Sequence, residues 1–281
     1  MKYLLFPALI VLLFYGISCS RLHAQESSPS ASSEEVFDFN KAYKDYIYTL
    51  ELYKNAHSDY QLARAQYLQS QTLPSQTKAI DNTSKMLMLR DDVMVTYLTT
   101  LRMRLSETPG VSDSDRSRLY SRLDADVAWY QNHKARIPSA ASLADLVKDS
   151  DEAKSHLPQT EILAYETLAT IPLGKTKELR LSLNNLVSGI KNKTEKIRQE
   201  GDHDTQKAER WILEVDQKAT RSLDKEIEAQ TLIVNLQSIK NKNTQSTYDQ
   251  IIFRLQESYQ FMKEASIYIR DILNELTTTY L

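Results

Sequence analysis

The chain has 281 residues, of which 41% are hydrophobic and 26% are charged, and its formal net charge is −2. It contains only 5 glycines and 7 prolines, where average usage would give roughly 20 and 14. Because glycine and proline serve turns and bulges, this scarcity argues against sandwiches, barrels and doubly wound sheets. A single cysteine, Cys19, excludes an intrachain disulfide and a cysteine-based metal site. The near-neutral charge argues against general nucleic-acid binding.

Residues 1–24 have the pattern of an export signal. Lys2 precedes an apolar run over residues 3–17, which is shorter than the ~20 residues of a membrane-spanning helix. Three outcomes remain open: cleavage after Ala24, a lipoprotein signal that ends before a lipidated Cys19, and an uncleaved anchor. Each of them predicts an exported chain, either extracellular or in the cell envelope, that is soluble or anchored at its N-terminus.

Residues 25–35 form a serine-rich segment with no large apolar side chain, so we expect a flexible tether. It serves either as a spacer that holds the domain away from a membrane or simply as the remnant of signal cleavage.

The segment from 36 to 137 has apolar residues at alternating steps of three and four, which is the pattern of a helical seam. Three helices are predicted here. The first runs up to Pro74, the second ends at Pro109, and the third begins after Ser112 or Ser114 as an N-cap. Residues 36–137 are therefore expected to form an N-terminal helical bundle.

Between 138 and 172 the apolar pattern shortens, and Pro138, Pro158 and Pro172 mark breaks, since proline ends a preceding helix. Two short helices are predicted in this connector. Residues 173–281 then contain three further amphipathic helices and are expected to form a C-terminal bundle, with Leu255 and Leu273 in its core.

The sequence thus predicts an all-α protein, an elongated antiparallel helical bundle with coiled-coil-like seams. Its finer form would be two three-helix bundles joined by two short helices. In length and layout alone, each half resembles the three-helix repeats of spectrin-type rods.

Residues with catalytic or ligand chemistry are sparse. Glu152 and His156 are four residues apart and can share one helix face, as metal ligands do, although such a pair is common by chance. Asp202, His203 and Asp204 bring two carboxylates and an imidazole into one turn, for which a helix stop followed by an aspartate cap is the competing interpretation. No phosphate-binding glycine loop and no catalytic motif is present, so we expect no cofactor and no enzymatic activity.

Two further groups are candidates for partner binding. A stripe of five tyrosines offers apolar area with hydroxyl groups, although packing at the core boundary explains it as well; it consists of Tyr43, Tyr46, Tyr53, Tyr60 and Tyr67. A basic cluster is a candidate for contact with an anionic lipid or polymer, or is simply a solvated helix face; it consists of Lys191, Lys193, Lys196 and Arg198.

These observations favour an exported, non-enzymatic structural or protein-interaction protein of a bacterial cell envelope or exterior. We expect a protein partner or self-association, membrane tethering through the N-terminus as an option, and no nucleic acid. The alternative is a soluble exported binding protein that holds a metal ion or small ligand between its helices.

Overall fold

The computed structural model describes residues 37–200, 204–236 and 243–278. The described residues form six α-helices and one short 3₁₀ helix, with no strand among them, so the all-α prediction is confirmed. The helices are α1 (Phe39–Ser70), α2 (Leu73–Ser106), α3 (Asp113–Arg136), α4 (Leu143–Glu200), α5 (Gln206–Leu236) and α6 (Thr244–Thr278); the 3₁₀ helix (Ile137–Ser139) follows α3. The expected signal (residues 1–24, with Cys19) and tether (25–35) lie outside the described residues.

Polar side chains begin several helices, as the sequence indicates. Asp38 accepts a hydrogen bond from the Lys41 amide, and Ser112 accepts one from the Asp115 amide, which confirms the predicted serine cap of α3. Thr72 caps α2 in a reciprocal arrangement with Ser75. These side chains satisfy amide groups that have no partner within their own helix.

Helices that follow one another in the chain pack antiparallel, as predicted. The Phe39 amide at the start of α1 donates to Glu107 just after the end of α2. Further along the chain, Lys191 of α4 pairs with Asp216 of α5, and Lys177 of α4 bonds to Gln230 of α5. Residues 37–281 form one compact unit.

The predicted connector of two short helices is wrong, because residues 143–200 form one helix that includes Pro158 and Pro172. Each proline removes one amide donor from the helix. The cost is compensated by packing, since most side chains between Leu163 and Thr176 are buried on all sides. Helix α4 therefore belongs to both halves of the chain, since it packs with α2 and α3 as well as with α5 and α6.

The core of α6 agrees with one of its two predicted leucines and differs at the other. Leu255 is buried, as expected, but Leu273 is 40% exposed, so its assignment to the core is wrong. The observed seam advances by alternating steps of three and four; its members are Tyr248, Ile251, Leu255, Ser258, Met262, Ala265, Ile269, Ile272 and Leu276. Small side chains at 258 and 265 allow α5 to approach closely, and the buried hydroxyl groups of Ser222 and Ser258 lie 2.8 Å apart.

Candidate functional site

A buried polar cluster lies where α2, α3 and α4 meet. His133 Nδ1 is 2.5 Å from Asp91 Oδ2, and both side chains are almost fully buried. His133 Nε2 is 2.9 Å from the main-chain oxygen of Asp149, and because a carbonyl can only accept, Nε2 carries a hydrogen and donates it. Burial raises the pKa of the Asp91 carboxyl, and the neighbouring Arg90 and His133 oppose this increase.

The indole of Trp129 extends this cluster through contacts with two imidazole rings. It stacks on His133 at a centroid distance of 5.1 Å and on His156 at 3.7 Å, in both cases nearly parallel. His156 Nε2 is hydrogen-bonded to Asp126 Oδ1, while Asp126 Oδ2 is buried without a partner. Each imidazole therefore has a carboxylate partner that fixes its orientation, and the stack ties α3 to α4.

One edge of the cluster has the composition of a cation site. His133, Asp149 and Glu152 each offer one ligand atom, and these atoms lie within 4.8 Å of one another. The carboxylate of Asp91 on Nδ1 is the kind of outer partner that orients a metal-binding histidine. A bound cation would have to replace the hydrogen bond from His133 to the Asp149 carbonyl and the ion pair between Glu152 and Arg136.

The structure separates the two residues that the sequence paired as ligands. Both lie on α4, but Glu152 pairs with Arg136, whereas His156 pairs with Asp126. Of the second predicted group, Asp204 accepts a hydrogen bond from the Gln206 amide at the start of α5, in agreement with the capping interpretation. Asp202 and His203 lie outside the described residues.

The tyrosine stripe lies along the side of α1 that packs against α2. Tyr46 is 3% exposed and its ring is 5.6 Å from that of Tyr97. Tyr53 and Tyr60 pack against a small apolar core, and Tyr43 and Tyr67 are half-buried. This placement favours the packing interpretation, in which Tyr46 belongs to the core and the other four rings lie at its boundary.

The basic cluster is largely balanced by neighbouring carboxylates. Lys191 pairs with Asp216, Lys196 with Glu200 and Arg198 with Glu195; Lys193 is also described, on the exposed surface of α4. Lys191 also lines a shallow groove of about 340 Å³ between α4 and α5. This arrangement favours a solvated helix face over a surface for anions.

An uncharged hairpin tip is the feature that the sequence analysis missed. We use this name for residues 65–77, which comprise the end of α1, the turn and the start of α2. No Asp, Glu, Lys or Arg occurs in these 13 residues, although about one residue in four of the chain is charged. Leu73 is 75% exposed and Leu68 is 56% exposed. The gap in charged residues around Pro74 is visible in the sequence and would have indicated the hairpin tip.

Comparison with protein-family models, curated proteins and solved structures found no match to the chain. Within the described ranges, no helix combines the length and the apolar character needed to cross a membrane.

Proposed function

We propose that this chain is an exported, non-enzymatic interaction protein, in which a helical bundle presents the hairpin tip to a partner. One observation supports this proposal above the others: two leucines at the tip are mostly exposed in a stretch without any charge. Exposed apolar groups that cluster on a monomer are typical of interaction sites. The export-signal pattern of residues 1–24 supports a location in the cell envelope or outside the cell.

The position of the tip supports a role as a spacer. Residue 37 and the tip lie at opposite ends of α1, a helix of 32 residues and therefore about 48 Å long. The length of α1 would thus separate the tip from the end of the helix that follows the tether.

The proposal can be tested by photo-crosslinking in the cells that produce the protein. A photoreactive phenylalanine analogue replaces Leu73 in one variant and Leu213 in a control, because Leu213 is also strongly exposed, at 61%, but lies on α5. We expect covalent adducts from position 73 that exceed those from position 213 and that disappear with the additional change Leu68→Gln. Equal adducts from both positions, or none from position 73, would contradict the proposal.

A second candidate function is the binding of a divalent cation by His133, Asp149 and Glu152. The grouping of one imidazole and two carboxylates within 4.8 Å favours it, because zinc and similar ions bind this ligand set. Equilibrium dialysis against zinc should then detect one ion per chain. Glu152→Gln should weaken binding by at least about tenfold.

Glu195→Gln is the matched control for this experiment. Glu195 also pairs with an arginine on the surface of α4, but it lies far along the helix from His133. Equal zinc binding by Glu152→Gln and Glu195→Gln, or no binding by the wild-type protein, would refute the cation site.

A further inference from the structure

We propose that the partner of the hairpin tip is the interfacial region of a lipid bilayer, reached without attraction between charges. This inference rests on the proposed function, because it assigns a partner class to the same tip. Four observations carry it: the absence of charge, the exposed leucines, the internal pairing of polar groups in the turn, and the projection of the tip beyond the bundle.

The first observation concerns the cost of leaving water. Charged side chains are expensive to move into a bilayer, and residues 65–77 contain none. The polar side chains present there are glutamine, serine and threonine, which form hydrogen bonds at the headgroup level. The tip can therefore enter the interface without burying an ion.

The second observation is the placement of the apolar groups. Leu68 lies in the last turn of α1 and Leu73 begins α2, so the two exposed leucines of the tip flank its turn. Tyr67 is half-buried beside them, and tyrosine is typical of membrane interfaces because one end of its ring is apolar and the other is hydrated.

The third observation is that the turn pairs many of its own polar groups. The Thr72 amide donates to Ser75 Oγ at 3.0 Å, and the Ser75 amide donates to Thr72 Oγ1 at 3.4 Å. Ser75 Oγ lies 2.8 Å from the Thr72 carbonyl, and Thr77 Oγ1 donates to the Leu73 carbonyl at 3.1 Å. Main-chain groups that are already paired lower the cost of entering an apolar region.

The fourth observation is the projection of the tip. Tyr60 of α1 and Ile80 of α2 pack against a core that includes Ile137 and Leu146, which belong to the α3–α4 connection and the first turn of α4. Between residues 61 and 79, the only buried side chains are two alanines, Ala63 and Ala79. The five uncharged residues 73–77 span about 7.5 Å along α2, and Lys78, whose ammonium donates to Gln66 Oε1 at 3.1 Å, lies at the base of this projection. Interfacial segments enter the headgroup and acyl boundary by about 5–10 Å.

A second copy of the chain fits the tip less well. The end of a two-helix hairpin is convex and measures about 20 by 10 Å, or roughly 200 Å². A stable protein dimer buries about 800 Å² on each partner. A soft lipid interface, in contrast, surrounds a convex tip from all sides.

The test measures sedimentation of residues 37–281, which form one compact unit, with vesicles of pure phosphatidylcholine. Removal of the N-terminal segment ensures that its apolar run does not contribute. We expect binding that increases with lipid concentration and is unchanged between about 0.05 and 0.5 M NaCl, because no ion pair is involved. The double variant Leu68→Gln/Leu73→Gln should lower the partition coefficient by about tenfold or more.

The matched control is the double variant Leu213→Gln/Val234→Gln. Both side chains are 61% exposed on α5, so the control removes similar apolar area elsewhere on the surface. Its partition coefficient should change by less than about twofold. Circular dichroism verifies that all variants retain the helical content of the wild-type chain.

Three results would overturn the lipid assignment: no binding to vesicles, equal losses in the tip and control variants, or binding that disappears at high salt. A lipid-independent dimer that the tip variant abolishes would assign the tip to a second copy instead. If vesicle binding fails while photo-crosslinking from position 73 succeeds, the lipid inference is wrong and the proposed function stands. If both experiments fail, both proposals are wrong.

Discussion

Gly174 and Gly189 both lie in α4, but we expect substitution by alanine to change stability in opposite directions at the two positions. A Cβ atom added at Gly174 would lie 2.5 Å from Val111 Cγ2 and 2.8 Å from the Pro109 carbonyl oxygen. At Gly189, no atom of the described residues lies within 4 Å of the added carbon. The same chemical change therefore meets a packed surface at one position and open space at the other.

The magnitudes follow from two opposing effects. Alanine stabilises an exposed helix interior by about 0.5–1 kcal/mol relative to glycine, so Gly189→Ala should increase the free energy of unfolding by this amount. At Gly174 the same gain is opposed by overpacking, which costs about 1–3 kcal/mol.

The neighbouring turn has little freedom to move away from α4. Gly110 has a φ of 73° in that turn, and a Cβ there would meet the Gly174 oxygen at 2.1 Å. We therefore expect a net loss of about 1–2 kcal/mol in Gly174→Ala.

Thermal unfolding followed by circular dichroism measures the difference. In a protein of this size, 1 kcal/mol corresponds to a shift of about 2–4 °C in Tm. Gly189→Ala should raise Tm by up to about 4 °C, and Gly174→Ala should lower it by about 2–8 °C. If Gly174→Ala stabilises the protein as much as Gly189→Ala does, the close packing of the α2–α3 turn against α4 is wrong.

Three further predictions follow from burial and charge. Leu255→Ala should lower the free energy of unfolding, measured with denaturant, by about 2–5 kcal/mol. Leu273→Ala should lower it by less than about 1.5 kcal/mol, because the Leu273 side chain is already 40% exposed. Equal losses would indicate that Leu273 lies in the core, as the sequence predicted. Glu166→Gln should lower the free energy of unfolding by about 2–3 kcal/mol, because this fully buried carboxylate pairs with Arg118 and Arg122. The loss is limited because both arginines are about a third exposed and can be hydrated. A change below about 0.5 kcal/mol would contradict this role. Burial raises the pKa of the Glu226 carboxyl, and Arg180 opposes this increase. The carboxyl therefore favours folding most below its unfolded pKa of about 4.3 and loses that contribution as the pH rises through the folded pKa. The free energy of unfolding of the wild type minus that of Glu226→Gln should decrease from pH 4 to 7, and an increase would contradict this direction.

The pairing that holds the polar cluster together was not predictable from sequence. Asp91 lies on the apolar seam of α2, four residues after Leu87, but His133 is 42 residues away, and periodicity cannot identify it as the partner. Only the antiparallel pairing of α2 and α3 brings the two side chains into hydrogen-bond contact. The hairpin tip, in contrast, is a local feature, and the absence of charge over residues 65–77 is visible in the sequence.

The sequence by itself determined that the chain is helical, where α3 is capped, and that Leu255 faces the core. These properties depend on side-chain periodicity and on hydrogen bonds between residues close in the chain. It did not determine the course of α4, because the local effect of Pro158 and Pro172 opposes the helix. The gain from burying most of residues 163–176 against other helices exceeds that cost.

The choice between two neighbouring stripes on α6 was also made by tertiary structure. Apolar side chains occur on both stripes: Tyr259 and Leu273 lie on one, whereas the folded chain buries the other, which contains Ser258, Ala265 and Ile272. Both stripes share Leu255 and differ by one residue at alternate positions, so periodicity cannot distinguish them. The close approach of α5 decides the matter, because small side chains fit at the contact and the hydroxyl of Ser258 finds a buried partner in Ser222.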